Sequence, residues 1–208
     1  MPWPVTHILI AEKLYQDFFP HMDHQAFIIG TCFPDIRYPA KIEREMTHRN
    51  NLAFSELSEK SPFESGMACH SIVDAAWNQY VHFHQEKLFS IVPHDKPMFH
   101  TMKILQDTFL YSLNSDWQKI AVFFSTILPE QKKYGVDKLM LRRWHAMLSQ
   151  YLEKPPKFED LEMLKLSLPE KLVKEIEAYY LRYQNNHDLR QIMTGFFTYF
   201  DTSYLKIR

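Results

Sequence analysis

His70 and Asp74 stand four residues apart in a stretch that reads as one helix, so their side chains leave the same face. An imidazole nitrogen and a carboxylate oxygen can then meet at a point about 2 Å from each, which is what a zinc-like ion asks of its ligands. His-x-x-x-Asp alone is weak evidence, because most such pairs are solvated or capped groups. Its surroundings sharpen it. Gly66 and Ala68 are small residues of the same helix, and a mid-helix glycine is costly unless another backbone comes close. Asp35 sits in Gly30-Thr31-Cys32-Phe33-Pro34-Asp35-Ile36, a carboxylate just past a helix end in a proline-stiffened loop. His48 follows Thr47 at a helix start, and His7 follows Thr6 near the beginning of the chain. Taken singly, Asp35 reads as a turn residue and each of these histidines as an ordinary helix-start residue.

Other clusters carry less. His94-Asp95 and His187-Asp188 lie beside loop signals, where aspartate serves as a helix N-cap. Cys69 adjoins His70 but points to another helix face and reads as a small buried residue. Arg142-Arg143-Trp144-His145 could touch a phosphate, yet a solvated helix face with Trp144 in the core explains it as well. Phe196 to Phe200 could face a membrane, but terminal-helix aromatics are usually core. The chain has no Gly-x-Ser-x-Gly elbow and no phosphate-cradling glycine loop.

The elements that must position these groups read as helices throughout. Only four glycines occur, and alternating apolar runs are scarce. Ile8, Ala11, Leu14, Tyr15 and Phe18 mark one apolar helix face. A short helix is expected from His24 to Gly30, with Gly30 as its C-terminal cap. Pro34, Pro39 and the charged stretch Lys41 to Glu45 read as a loop, followed by a helix from about Thr47 to Ser58. Ser61-Pro62-Phe63-Glu64 is a capping-box start for the helix that carries His70 and Asp74. Further helices are expected from Asp95-Lys96-Pro97 through Leu113, from Asp116 to Leu128 and from Val136 to Leu152. Glu153-Lys154-Pro155-Pro156 interrupts the pattern and reads as a linker between helices. Ser167-Leu168-Pro169-Glu170 opens another helix to about Gln184, and an aromatic-rich helix follows. The expectation is a single all-α domain over 1–208, with a metal-site half over about 1–110 and C-terminal helices over about 115–208.

Bulk properties narrow the function. A net charge of −1 gives no global field for gathering nucleic acid. No apolar stretch has the length of a membrane span, and the first residues lack a basic segment followed by an apolar one, so a cytoplasmic protein is expected. Two cysteines, Cys32 and Cys69, make no disulfide framework, although a single bridge between them stays open.

Taken together, Trp3 to His7, Gly30-x-x-x-Pro34-Asp35, Thr47-His48 and Gly66-x-x-x-His70-x-x-x-Asp74 resemble the zinc-dependent phospholipase C and P1 nuclease superfamily of all-helical metallohydrolases. The resemblance covers about residues 1–80 and is closest to the compact bacterial members. It implies that Asp35, His48, His70 and Asp74 hold one zinc, with Asp74 bridging to a second metal position that His7 approaches. It also implies phosphoester cleavage, on a phospholipid or on a nucleotide or nucleic acid, by a metal-activated water with Asp74 and Asp35 in catalytic roles. The chain departs from the family at three points. Secreted members use a free N-terminal tryptophan amine as a ligand, whereas Trp3 here follows Met1-Pro2. A histidine expected four residues after Asp74 is replaced by Asn78, and Tyr80 stands two residues beyond it. The later His-x-x-x-Glu/Asp pair is represented by His100 with Ile104, and Asp107 comes seven residues on. His82, His84, His100 and Asp107 are therefore the candidates for a second site, and one or two zinc ions are expected rather than three. The alternative is a non-catalytic helical module with one structural zinc that binds a lipid or a protein.

Overall fold

The computed structural model describes residues 3–49, 52, 54–114, 116–158 and 168–204, and the regular elements among them are all helical. Helix α1 (Pro4–Phe18) begins on a proline, whose missing N–H costs nothing in a first turn. Ile8, Ala11 and Leu14 are buried on its apolar face as the spacing predicts. Phe18 is an exception: it is about half exposed, its ring edge resting on Phe54.

Helix α2 (His24–Cys32) is capped by Asp23, which accepts a hydrogen bond from the Ala26 N–H. Gly30 is not its cap but an interior residue, for a reason given below. The stretch expected as loop contains a 3-10 turn at Pro34–Ile36 and two single-turn helices, α3 (Arg37–Ala40) and α4 (Arg44–Thr47). The helix expected from Thr47 to Ser58 is absent from its described part. Thr47 ends α4, His48 is extended, and a 3-10 segment covers Phe54–Glu59. Positions 50, 51 and 53 lie outside the described residues.

Helix α5 (Pro62–Phe83) starts where the capping box predicts. Glu64 N–H donates to Ser61 Oγ, and that hydroxyl donates to the Glu64 carboxylate. Helix α6 (Gln85–Ile91) follows, then α7 (Lys96–Leu110), α8 (Trp117–Phe123) and α9 (Lys138–Leu152). Helix α8 stops well short of Leu128, and Leu113 is exposed beyond the end of α7 rather than part of its buried face. Helices α10 (Glu170–Tyr183) and α11 (His187–Tyr199) follow, with a π-helical turn at Phe200–Tyr204 after them, while Ser167 of the expected cap lies outside the described residues. Asp95 caps α7 as expected; at α11 the cap is Asn186 rather than Asp188.

The described residues gather into two compact units, one from 7–73 with 113–154, the other from 1–6, 74–112 and 155–208. Each draws on both halves of the sequence. In the first, α8 packs on α2 and α9. His145 is buried there, with its Nδ1 on the Phe124 carbonyl and its Nε2 on the Gln131 side chain, and Trp144 is core as read from the sequence. In the second, α7 packs on α10 and α11. Buried Gln106 donates to the Met193 carbonyl, and Tyr80 donates to that of Ile192. Phe196 and Phe200 are core residues, as terminal-helix aromatics usually are, while Phe197 and Tyr199 are half-buried. No described helix is long and apolar enough to cross a membrane.

Candidate metal centre

Helices α2 and α5 touch backbone to backbone, and two glycines permit it. A Cβ on Gly66 would overlap the carbonyl oxygen of Phe27, and one on Gly30 would overlap that of Phe63. The reciprocal contact explains why Gly30 is an interior residue, and it fulfils the expectation for Gly66. Its consequence for the site is direct: the Thr31 carbonyl, one residue after Gly30, comes within 2.9 Å of His70 Nδ1.

A carbonyl can only accept, so His70 Nδ1 carries a proton, and in the neutral ring this leaves the lone pair on Nε2. That Nε2 lies 3.9 Å from Asp35 Oδ1. The gap exceeds a hydrogen bond and comes near the about 3.4 Å that separates two ligands of one tetrahedral zinc. The 3-10 turn after α2 places Asp35, and α4 delivers His48, whose ring stands edge-on to His70 at 84° and 5.0 Å between centroids. Perpendicular rings can aim their in-plane lone pairs at one point. Asp35, His48 and His70 each offer a ligand atom within 4.8 Å of the others, and this group could hold a metal ion.

His70 also belongs to a second group. Asp74 follows it by one turn of the continuous helix α5, and His7, His70 and Asp74 offer ligand atoms within the same 4.8 Å limit. The His7 and His70 rings are stacked, with centroids 3.9 Å apart and planes 8° from parallel. Parallel rings present their lone pairs side by side, so one ion can meet both in plane only after a ring turns. Because His70 Nε2 has one lone pair, His70 could serve at most one ion, whichever of the two groups completed its ligands. His7, His48, His70 and Asp74 are buried, and Asp35 keeps 19% of its side-chain exposure, which makes it the rim of the cluster.

All five residues read from the sequence as ligands thus fall into these two overlapping groups. The four second-site candidates are in neither. His82 is exposed, and His84 lies against the Tyr80 ring at 4.4 Å. His100 is half-buried; burial first, then Lys103 and Lys96, push its pKa down to about 4. Asp107 is fully buried and occupied: it accepts from the Val5 and Thr6 N–H groups at 2.9 Å each and from the Thr6 hydroxyl at 2.6 Å. It serves as the N-terminal cap of α1, whose first-turn N–H groups would otherwise be buried without acceptors. Asn78 is exposed and Ile104 is core.

Sequence reasoning missed the groups behind the candidate ligands. Thr47 Oγ1 lies 2.9 Å from His48 Nδ1, a partner that the Thr-His adjacency could have suggested, whereas the Thr31 carbonyl leaves no trace in residue type. Cys32 and Cys69 are both buried and form no disulfide, and burial raises the Cys69 thiol to about 12. No protein-family model, curated protein or solved structure matches this chain.

Proposed function

We propose that the cluster binds zinc and that the chain is a zinc-dependent hydrolase of phosphoesters, with the fold of the phospholipase C and P1 nuclease superfamily. The observation that carries this reading is the orientation of His70. Its Nδ1–H is spent on the Thr31 carbonyl, and its Nε2 faces Asp35 in a group that His48 joins edge-on. A ligand histidine held from behind by a carbonyl is the usual arrangement at metal sites. Two or three imidazoles with carboxylate oxygens suit zinc among the available divalent ions. Asp35, His48 and His70 would hold the ion, with Asp74 and, after a ring turn, His7 as further donors.

A divalent ion bound there would supply Lewis acidity toward a phosphoryl oxygen and toward water. Asp35, the donor with solvent access, would orient the attacking water and take up its proton. Asp74 would offset positive charge from the buried side. The substrate would be a phosphoester of a phospholipid or of a nucleotide or nucleic acid.

The test is metal content followed by turnover. Protein purified without chelators should carry about one zinc per chain, and His70→Ala should remove it. Bis(p-nitrophenyl) phosphate should then be hydrolysed in the presence of zinc, and Asp74→Asn should abolish that. Metal-free wild-type protein would sink the proposal. A second reading, one structural zinc in a module that binds lipid or protein, draws on the burial of four of the five donors, since catalysis needs an open coordination position. Full zinc content without turnover of any phosphoester would favour it.

A further inference from the structure

The loop that carries His48 contains a device that the ligand set does not use. Thr47 is buried, and its hydroxyl makes two contacts, 3.4 Å to the Arg44 carbonyl and 2.9 Å to His48 Nδ1. A hydroxyl has one proton to donate. The Arg44 carbonyl can only accept, so both contacts are hydrogen bonds only if Thr47 donates to Arg44 and accepts from His48 Nδ1–H. The opposite arrangement, with Thr47 donating to Nδ1, would forfeit the Arg44 bond and put the ring proton on Nε2.

We propose that Thr47 is a positioning residue that fixes His48 as the Nδ1–H tautomer, so that its Nε2 lone pair is offered to the same ion as His70. The proposal rests on the zinc reading above. The parallel is close: the Thr31 carbonyl holds His70 from behind, and Arg44, acting through the Thr47 hydroxyl, holds His48. The two rings reach their 84° crossing with their rear nitrogens tied to separate elements, the end of α2 and the end of α4. These two imidazoles are therefore held in place before any metal arrives.

Three variants and two readouts decide the matter. Zinc affinity is measured by competition with a chromophoric chelator for wild type, Thr47→Val and Thr47→Ser. The His48 ring tautomer is read from 15N shifts in zinc-free protein, with the resonance assigned through His48→Gln. Thr47→Val keeps the shape and removes the hydroxyl, and should weaken zinc binding about 10- to 100-fold while leaving one site per chain. Thr47→Ser should bring affinity back to within a few-fold of wild type. His48 should be Nδ1-protonated in wild type and lose that preference in Thr47→Val. An Nε2–H His48 in the wild type would overturn the proposal. So would a Thr47→Val protein that melts earlier yet binds zinc unchanged, because Thr47 would then be a packing residue. Those results leave the zinc reading standing; a wild type that takes up no zinc overturns both.

Discussion

Helices α5 and α7 each carry a histidine with a buried aspartate further along: His70 and Asp74 on one, His100 and Asp107 on the other. Only the first pair joins a ligand-like group. The difference begins with the carboxylates. Asp107 already serves three donors at the start of α1, where the positive end of the helix offsets its charge. Asp74 instead shares reach with two imidazoles. The histidines differ as well. His70 has its rear nitrogen on a main-chain carbonyl, while His100 stands among Lys96 and Lys103, which hinder a bound cation as they hinder a proton. Sharing one helix face is therefore not enough to make a histidine and a carboxylate a candidate pair; what each of them faces across the fold separates the two helices.

The sharpest way to break the α5 arrangement is to put a methyl group where the backbones touch. Gly66→Ala would drive a Cβ into the Phe27 carbonyl, a main-chain atom with little freedom to yield. We expect a loss of about 4 kcal/mol or more in urea unfolding, at the severe end for overpacking. Any protein that still folds should bind zinc poorly, because the Thr31 carbonyl would be pushed from His70. Native-like stability together with native zinc affinity would show that the glycine contact does not position the site.

The α7 side is tested through Asp107. Asp107→Ala strands the Val5 and Thr6 donors in the interior and should cost about 3 kcal/mol, with Asp107→Asn recovering part of that. Zinc content should stay at the wild-type level in whichever variant folds. A small stability loss coupled to a missing metal would instead make Asp107 a ligand, and the contrast between the helices would disappear.

These outcomes mark what the sequence could and could not tell. The all-helical architecture was legible from periodicity, and the start of α5 from its capping box, because both are local signals. The candidate ligands were legible for a different reason: taken singly Asp35, His7 and His48 read as ordinary turn or helix-start residues, and only the resemblance over the first 80 residues grouped them with His70 and Asp74, five residues that the structure brings into two groups that could hold an ion. Helix ends were less so. The stretch near Lys41–Glu45 forms single turns that propensity does not announce, and α4 ends at Thr47 where a longer helix was expected to begin. Gly30 shows the limit most clearly. A glycine near a helix end looks like a cap, and only the facing Phe63 backbone, 33 positions away in sequence, reveals that it is a crossing point. Asp107 was misleading in the same way, since nothing local shows that its partners lie at the start of α1.

The smallest expected effect probes the other member of the α7 pair. His100 has its pKa near 4 in the folded chain against an ordinary 6.5, through burial first and then Lys103 and Lys96. Between those values the unfolded chain binds a proton that the folded chain refuses. Its contribution to stability is therefore complete above about pH 6.5, falls as the pH drops toward 4, and changes no further below that. Buried His145 is shifted in the same direction by its burial, so the wild type should lose stability over this window from at least two sources. His100→Gln should flatten the fall in zinc-free protein by less than about 1 kcal/mol, because the half-buried ring is partly screened. Thermal melts at pH 7, 5.5 and 4, comparing His100→Gln with wild type, measure it. An unchanged pH slope would mean that His100 titrates normally and that the lysines and burial do not oppose positive charge there. The α7 pair would then be as open to a cation as the α5 pair, and the occupied carboxylate of Asp107 alone would have to account for the difference.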